Sequence, residues 1–199
     1  MRSYLSDVVL LYLDELIDWD SYFKKNVYHA PFGGMTWRAH RALQRRWKKM
    51  GKEEAWAHFE RKSQKALTYL RRMGGTYGSA TFIGLLGLIQ HSDDLAPGDR
   101  ISMFSYGSGS CAEFYSALIG HDAKAVAAAA NLGALLDARY QLSVREYEDA
   151  ERERTCWIDQ GDFVPCLDGF SDWYDKHYRG RGLLVFQGIG EHYRRYGWS

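Results

Sequence analysis

A glycine-rich turn is the first place in this sequence where the residue types could do chemistry. Two β-prone runs flank Gly107-Ser108-Gly109, and Pro97-Gly98-Asp99 precedes the first run. Because glycine adopts positive φ at little cost, such a turn can aim a backbone N–H into open space. An amide held there could stabilise a developing negative charge. The spacing by itself more often indicates a plain β-hairpin turn, and it leaves both interpretations open.

His29 is set apart from the six other histidines by its position. It ends the β-prone run 26–29, directly before Pro31 and the pair Gly33-Gly34, which break the chain. A side chain at such a junction can be held at the mouth of a cleft. Imidazole donates hydrogen bonds and exchanges protons near neutral pH, so His29 is a candidate catalytic group. We expect the other histidines to be structural or exposed.

The three cysteines suggest a reducing environment. They are odd in number and form no Cys-x-x-Cys pair, so neither a disulfide framework nor a zinc site is predicted, and we expect a cytoplasmic protein. Cys111 falls in the run after the glycine turn, where a small buried thiol is expected. No Gly-x-Ser-x-Gly motif surrounds Ser108, so its hydroxyl is not expected to be a nucleophile.

Periodicity predicts the elements that must position these residues. Helical patterns alternate with β-prone runs, which is typical of an α/β protein. The 199 residues are enough for one domain, predicted to span 1–199. The predicted elements are a helix at 4–17, two basic helices within 35–72 separated by Gly51, an apolar helix at 79–90, the hairpin at 100–119, an alanine-rich helix at 122–136, a charged helix at 144–154, an irregular stretch at 155–178, and a strand pair at 183–187 and 189–196 separated by Gly188.

Composition excludes several classes of partner. The chain is 46% hydrophobic and 26% charged, which is ordinary for a globular protein, and its net charge of +1 gives no overall field for nucleic acid. No apolar run reaches the length of a membrane span, and no signal-peptide pattern opens the sequence. We therefore expect neither nucleic acid nor a membrane as a partner.

One stretch is nevertheless strongly basic. Residues 38–72 contain twelve Lys or Arg and three Glu. Such a run can be a solvated helix face. It can also be a docking surface for something acidic, such as phosphopantetheine on a carrier protein or the phosphates of coenzyme A, since guanidinium forms forked hydrogen bonds with phosphate.

Four segments, in the same order along the chain, resemble the C-terminal half of the hydroxymethylglutaryl-CoA synthase family of the thiolase superfamily. They are most similar to its polyketide β-branching members. The resemblance implies half of a thiolase-like layered α-β-α-β-α fold. The segments are the glycine turn Phe104-Ser-Tyr-Gly-Ser-Gly-Ser-Cys-Ala-Glu-Phe-Tyr-Ser116, the histidine motif Tyr28-His-Ala-Pro-Phe-Gly-Gly-Met35, the stretch 136–147 and the ending 191–198.

The resemblance also implies roles for particular residues. His29 would polarise the β-carbonyl of the acceptor thioester, and the backbone N–H of Ser108 would belong to an oxyanion hole. No metal or permanently bound cofactor is implied, because the substrates arrive on the phosphopantetheine of an acyl carrier protein or on coenzyme A. Residues implied to bind substrate or phosphopantetheine are Phe32, Arg38, Arg41, Tyr77 and Tyr106.

Two residues depart from the family pattern, and two catalytic residues of the family are missing from this sequence. Gly75 takes the place of an asparagine that contacts the reacting acyl group, and Arg38 stands where primary-metabolism members carry a lysine. The family's nucleophilic cysteine, in a Cys-Tyr-Gly-Gly-Thr type motif, and its general-base glutamate belong to the N-terminal half.

Three hypotheses follow from these features. The first is the C-terminal subunit of a split enzyme that condenses carrier-bound acetate with the β-ketone of a carrier-bound polyketide. A partner subunit would supply the cysteine and the glutamate, in a heterodimer or heterotetramer. The second is a non-catalytic scaffold or carrier-docking module, which the change to Gly75 favours. The third is a fragment of a primary-metabolism synthase that uses free acetyl-CoA.

Overall fold

The computed structural model describes residues 18–165 and 171–199, which divide into two compact units after Asp137. The helix expected at 4–17 and the third cysteine, Cys166, lie outside the described residues. The first unit is described from Asp18 to Asp137, and the second from Ala138 onwards. The proposed extent of one domain over 1–199 stays a prediction.

A three-stranded sheet forms the centre of the first unit. Its strands are β1 (Lys25–Tyr28), β2 (Arg100–Gly107) and β3 (Cys111–Leu118), in the order β1-β2-β3. Strand β1 is parallel to β2, whereas β2 and β3 form the antiparallel hairpin that the sequence predicted. The strands and the helices between them confirm the α/β class.

Helices of the first unit follow the predicted order with three differences. A short helix at Trp19–Tyr22 was not predicted, and the two helices expected within 35–72 are three helices and a 3₁₀ turn. The predicted helix at 122–136 is two shorter helices, because Asn131 adopts a left-handed conformation with φ of 46° between them. Asparagine tolerates this conformation better than most residues. The helices are α1 (Trp19–Tyr22), α2 (Gly33–Trp47), α3 (Lys52–Lys62), a 3₁₀ turn (Gln64–Leu67), α4 (Leu70–Met73), α5 (Ser79–His91), α6 (Ala123–Ala129) and α7 (Leu132–Asp137).

Both faces of the β1–β2 pair are buried, so buried and exposed residues do not alternate along β1 or through the middle of β2. Tyr28 and Phe104 pack with Leu43 of α2 on one face. Val27 and its neighbours on β2 pack with Leu88 of α5 on the other. Small residues bring α5 this close, since a Cβ built on Gly84 would lie 3.2 Å from Cγ1 of Val27. The sheet is thus held between helices, which fixes the strand ends that carry His29 and the glycine turn.

The second unit consists of two helices and a hairpin. These are α8 (Val144–Trp157), α9 (Ser171–His177), β4 (Leu184–Gly190) and β5 (Tyr193–Trp198). The irregular stretch expected at 155–178 is wrong in part, because α8 continues to Trp157 and α9 lies within it.

The predicted break at Gly188 is also wrong. Strand β4 continues through this residue as a bulge, and a Cβ there would meet the Phe163 carbonyl oxygen at 2.5 Å. The chain instead turns at Glu191 and His192, which adopt left-handed φ values of 55° and 65°. Glycine at 188 therefore serves a close backbone approach and not a turn.

Within the ranges described, none of the helices combines the length and the apolar character needed to cross a membrane.

Candidate active site

His29 lies on the connector between β1 and α2. Its backbone N–H donates to the Phe104 carbonyl at 2.7 Å, which continues the β1–β2 pairing by one residue and fixes its backbone. Its Nδ1 atom is buried and meets no hydrogen-bond partner among the described residues. Partial burial lowers the pKa of His29, because desolvation penalises the charged ring. The side chain is therefore a neutral imidazole at neutral pH, and no described residue engages its Nδ1 atom.

A cleft of about 690 Å³ in the first unit contains this histidine. Three chain segments line it: the connector that begins with His29, the loop before α5, and the β2–β3 hairpin. The carboxyl end of β1 and the hairpin meet here because β1 and β2 are parallel and in register up to Tyr28 and Phe104. Of the residues predicted for the site, the cleft brings together His29, Gly75, Tyr77, Tyr106 and Ser108.

The glycine turn differs in detail from the expectation. Gly107 pairs with Cys111, so the loop consists of the three residues 108–110. The left-handed position is Ser110, with φ of 60°, and neither Gly107 nor Gly109 has positive φ. A hairpin with a three-residue loop commonly ends on a left-handed residue, which explains the location. Ser108 opens this loop, is exposed, and lines the cleft.

Gly75 is in close contact with the histidine connector. A Cβ at this position would lie 3.0 Å from the carbonyl oxygen of Pro31. A side chain such as that of asparagine would thus require Pro31, two residues from His29, to shift. Glycine at position 75 therefore leaves room for the Pro31 backbone to come close.

Tyr77 stands at the rim of the cleft in an unusual conformation. It is 90% exposed and has a φ of 50°, which is uncommon for a bulky side chain. Tyr106, by contrast, is half-buried near the end of β2. Unfavourable backbone conformations are often retained at binding sites, so Tyr77 is a candidate contact for a ligand.

The prediction of a buried Cys111 is wrong. Cys111 is a free, exposed thiol that lines the cleft, because it is the first residue of β3 and directly follows the turn. Glu113, also exposed, lines the cleft from a position opposite Ser105. Sequence reasoning missed these contributions, although the hairpin register held the signal. Residues 105, 107, 111 and 113 form two directly opposed pairs and so face the same side.

Three predicted binding residues lie outside the lining of the cleft. Phe32 immediately precedes α2, and its ring lies beside Gly34 with about half of its surface exposed. Arg38 and Arg41 are exposed on α2 itself. These residues offer a surface next to the connector and not a wall of the cleft.

No group of three or more His, Cys, Asp and Glu side chains in the described ranges could hold a metal ion.

The sequence matches one protein-family model, described as hydroxymethylglutaryl-coenzyme A synthase C terminal, over residues 6–196. It is 37% identical over 126 residues to the polyketide biosynthesis 3-hydroxy-3-methylglutaryl-ACP synthase PksG of Bacillus subtilis, a match that covers 63% of this chain and 30% of PksG. It is also 37% identical over 86 residues to the hydroxymethylglutaryl-CoA synthase of Enterococcus faecalis, covering 43% of this chain and 22% of that enzyme.

Solved structures extend the similarity to nearly the whole chain. The HMG synthase of the curacin biosynthetic pathway, solved in complex with acetyl donor-ACP, matches with a TM-score of 0.84 and 34% identity over 98% of this chain. PksG from Bacillus subtilis matches with a TM-score of 0.86 and 28% identity, again over 98%. This chain spans about half the length of each of these structures. The architecture is accordingly half of a thiolase-like layered α/β fold.

Proposed function

Because this chain belongs to the hydroxymethylglutaryl-CoA synthase family by its C-terminal domain, we propose that it is the C-terminal subunit of a split β-branching synthase. The enzyme condenses carrier-bound acetate with the β-ketone of a carrier-bound polyketide. One observation carries the proposal: His29 and the Ser108 turn, the two elements of the family's chemistry found in this sequence, line the same cleft. The similarity to PksG and to the curacin synthase supports the polyketide branch of the family.

A partner polypeptide supplies what these 199 residues lack, a cysteine in the nucleophile motif and a general-base glutamate. The partner cysteine takes the acetyl group from an acetyl carrier protein, and loss of a proton from that acetyl group gives an enolate. The enolate carbon then attacks the β-ketone. Hydrolysis of the thioester to the partner cysteine then frees that cysteine and leaves a β-hydroxy-β-carboxymethyl branch on the carrier-bound polyketide.

His29 and the Ser108 amide stabilise the charge that develops on oxygen in these steps. His29 is neutral, because burial lowers its pKa, and it donates a hydrogen bond to the ketone oxygen that becomes the alkoxide. The backbone N–H of Ser108 holds the oxygen of the cysteine thioester. Removal of one oxyanion-hole donor typically raises a barrier by about 3 kcal/mol. Both groups therefore act on the transition state more than on the bound substrate.

Residues around the cleft carry the substrate arm. Tyr77 and Tyr106 line the path of phosphopantetheine, and Phe32 packs near its entrance. Arg38 and Arg41, exposed on α2, meet the phosphate or acidic side chains of the carrier protein. No cofactor stays bound, because the carrier brings and removes the arm.

Gly75 alters one contact of the family's site. Since the Pro31 carbonyl approaches this position, a side-chain amide does not fit here unless Pro31 shifts. We expect Thr76, water or a partner group to contact the acyl group in its place.

The partner subunit also covers apolar surface. The second unit has a groove of about 490 Å³ lined mainly by apolar side chains, including Phe163, Phe186 and Ile189. Large apolar side chains such as Trp198 remain exposed in the same unit. Contiguous surfaces of this kind mark protein–protein contacts. We therefore propose a heterodimer or heterotetramer, working in the cytoplasm.

The test is reconstitution with the polypeptide that carries the nucleophile motif. After incubation with acetyl carrier protein, intact mass should show one acetyl group on the partner and none on Cys111 of this chain. His29→Ala should leave acetylation intact and lower condensation about 10²- to 10⁴-fold. The matched control is His121→Ala, an exposed histidine outside the cleft, which should leave both steps unchanged. Equal loss of acetylation and condensation in His29→Ala, with the assembly intact, contradicts the assigned role.

The close approach at Gly75 favours a second candidate, a non-catalytic carrier-docking scaffold derived from such a synthase. It predicts a stable complex that binds carrier protein and never becomes acetylated. Acetylation of the partner followed by condensation excludes it.

A further inference from the structure

Behind the connector that carries His29, four polar side chains form one continuous hydrogen-bonded chain. The Tyr28 hydroxyl lies 3.0 Å from Nδ1 of His40. Nε2 of His40 lies 2.8 Å from Nδ1 of His58, and Nε2 of His58 lies 2.6 Å from Oδ1 of Asp20. None of these four residues lines the cleft. The proposed chemistry gives them no role, although three of them, Tyr28, His40 and His58, are titratable groups buried in the core.

Once both rings are neutral, one end of the chain determines the direction of every bond. Burial lowers the pKa of His40 and of His58, which leaves both rings neutral at neutral pH. The Asp20 carboxylate accepts, so a neutral His58 donates from Nε2 and accepts at Nδ1. His40 must then donate from Nε2 and accept at Nδ1 from the Tyr28 hydroxyl. Both rings are neutral and in the same tautomer, and bonds aligned in this way strengthen one another.

Burial and a lysine hold the chain in this state. His40 and His58 are almost completely buried, and their hydrogen-bonded rings have centroids 4.9 Å apart. Desolvation lowers the pKa of His40 to about 3 and also lowers the pKa of His58. At the other end, the Lys62 ammonium donates to the carbonyl oxygens of Asp20 at 2.6 Å and Phe23 at 2.8 Å. The backbone around the terminal carboxylate is thus fixed as well.

The hydrogen-bonded chain links β1 and α2, the two elements on either side of the connector that carries His29. Tyr28 is the last residue of β1, and His40 is in the middle of α2. The connector between them, residues 29–32, begins with His29. A hydrogen bond between Tyr28 and His40 therefore sets the separation of the two ends of a four-residue connector. His58 on α3 and Asp20 on α1 extend this link to two further helices.

We propose that Tyr28, His40, His58 and Asp20 are a positioning network for His29, which holds its imidazole at a fixed depth in the cleft. The residues act through the strand end and the helix, and they touch neither substrate nor reacting atoms. The consequence for catalysis rests on the role proposed above for His29, whereas the positioning itself does not. Small displacements of a catalytic group cost one to two orders of magnitude in rate, so such a network is relevant to activity.

The experiment measures the pKa of the His29 imidazole by NMR titration of the full chain, with His29→Asn to assign the signal. Tyr28→Phe removes one hydroxyl and keeps the ring. The matched control is Tyr69→Phe, which removes another buried hydroxyl, one that donates to Gln90 and is not part of the network. We expect the His29 pKa to rise by about half to one pH unit in Tyr28→Phe, because the ring becomes better solvated. We expect no change in Tyr69→Phe.

A second variant tests the far end of the network and does not depend on the folding of Tyr28→Phe. Asp20 is partly exposed, so Asp20→Ala should be tolerated. Three hydrogen bonds join Asp20 to Tyr28, and the substitution should therefore still shift the His29 pKa. Asp20→Asn keeps an acceptor oxygen for His58 and should restore the wild-type value. An unchanged His29 pKa in folded Tyr28→Phe or Asp20→Ala overturns the proposal.

Kinetics separate this proposal from the function on which it rests. In the reconstituted complex, Tyr28→Phe should lower kcat for condensation about tenfold or more with KM unchanged. If the wild-type complex does not condense but the His29 pKa still moves, the proposed function fails and the positioning network stands. If the wild type condenses and neither kcat nor the His29 pKa responds to Tyr28→Phe and Asp20→Ala, the positioning network fails and the function stands.

Discussion

The two units of this chain differ in how they bury apolar surface. The first unit has three clusters of buried side chains around its sheet, including Phe23, Leu88 and Phe59. In the second unit, no described apolar side chain is fully buried, and Gly188 alone among its described residues falls in the buried class. Its longest helix, α8, contains no buried residue. A core organises the first unit, whereas local contacts such as the β4–β5 pairing organise the described part of the second.

Both units also carry exposed apolar side chains. In the first unit, the most exposed large apolar side chain is Tyr77, at the rim of the cleft. In the second unit, side chains of this kind come from both strands and from the segment before α9, as Leu184, Tyr193 and Val164 illustrate. Other exposed apolar side chains of the first unit, such as Phe82 and Val126, lie outside the lining of the cleft. The difference is that the first unit has a buried core beneath its surface, whereas the described part of the second unit does not.

The largest expected effect comes from truncating one phenylalanine in each unit. Phe59→Ala removes a ring that is 1% exposed and should lower the free energy of unfolding of the first unit by about 3–5 kcal/mol. Phe186→Ala removes a half-buried ring that contacts the Phe163 ring at a tilt and the Tyr196 ring edge to face. It should lower the free energy of unfolding of the second unit by less than about 1.5 kcal/mol. Urea unfolding of each unit, followed by residue-specific NMR signals, provides the measurement.

Adding the proposed partner sharpens this comparison. The effect of Phe186→Ala should then grow, because the groove that contains this ring is buried in the complex. The effect of Phe59→Ala should stay the same. Equal effects of the two substitutions in the isolated chain would show that the second unit has a core of its own.

The elements that sequence patterns predicted best are those held by local rules. The β2–β3 hairpin and the entry of α3 at Gly51 follow from glycine placement and β-propensity within a few residues. Gly188 misled the prediction because its requirement comes from Phe163, which is 25 positions away in the sequence. No pattern within a window of ten residues contains that contact.

The candidate site shows the same limit. His29 and the Ser108 turn were identified from their motifs, and Cys111 and Glu113 follow once the hairpin register is known. The contact of Gly75 with Pro31 and the hydrogen bond between His40 and His58 depend on how separate segments pack. Spacing in the sequence carries no record of them.

A pH dependence is the second expected effect, and it belongs to the first unit. His40 faces Tyr28 from β1 and His58 from α3, and Lys62 adds a positive charge nearby. Its folded pKa of about 3 lies below the unfolded value of 6.5, so the unfolded state binds more protons between these values. Stability is therefore complete above pH 6.5 and falls as the pH is lowered towards 3, by roughly 1.4 kcal/mol per pH unit.

Urea unfolding at pH 7.5 and pH 5.0, followed by the methyl signals of Leu88, measures this dependence in the first unit. The contribution of His40 over this interval should be about 2 kcal/mol. His40→Gln should remove that part of the pH dependence, even if it lowers stability at both pH values. The control His121→Gln, an exposed histidine, should keep it. The same pH dependence in wild type and His40→Gln would exclude His40 as its source.

The smallest expected effect concerns α8 in the second unit, where a cap takes the place of a core. The Ser143 hydroxyl accepts from the Glu146 amide at 3.2 Å, and the Glu146 carboxylate accepts from the Ser143 amide at 2.7 Å. Ser143→Ala should destabilise this helix by about 1 kcal/mol, visible as faster hydrogen exchange over its first turn. Thr155→Ala, near the other end of the same helix, is the control and should change stability by less than about 0.5 kcal/mol. Because α8 has no buried face to hold it, a cap should matter more here than any single side chain along the helix. Unchanged exchange in Ser143→Ala would mean that packing, and not the cap, holds the first turn of α8.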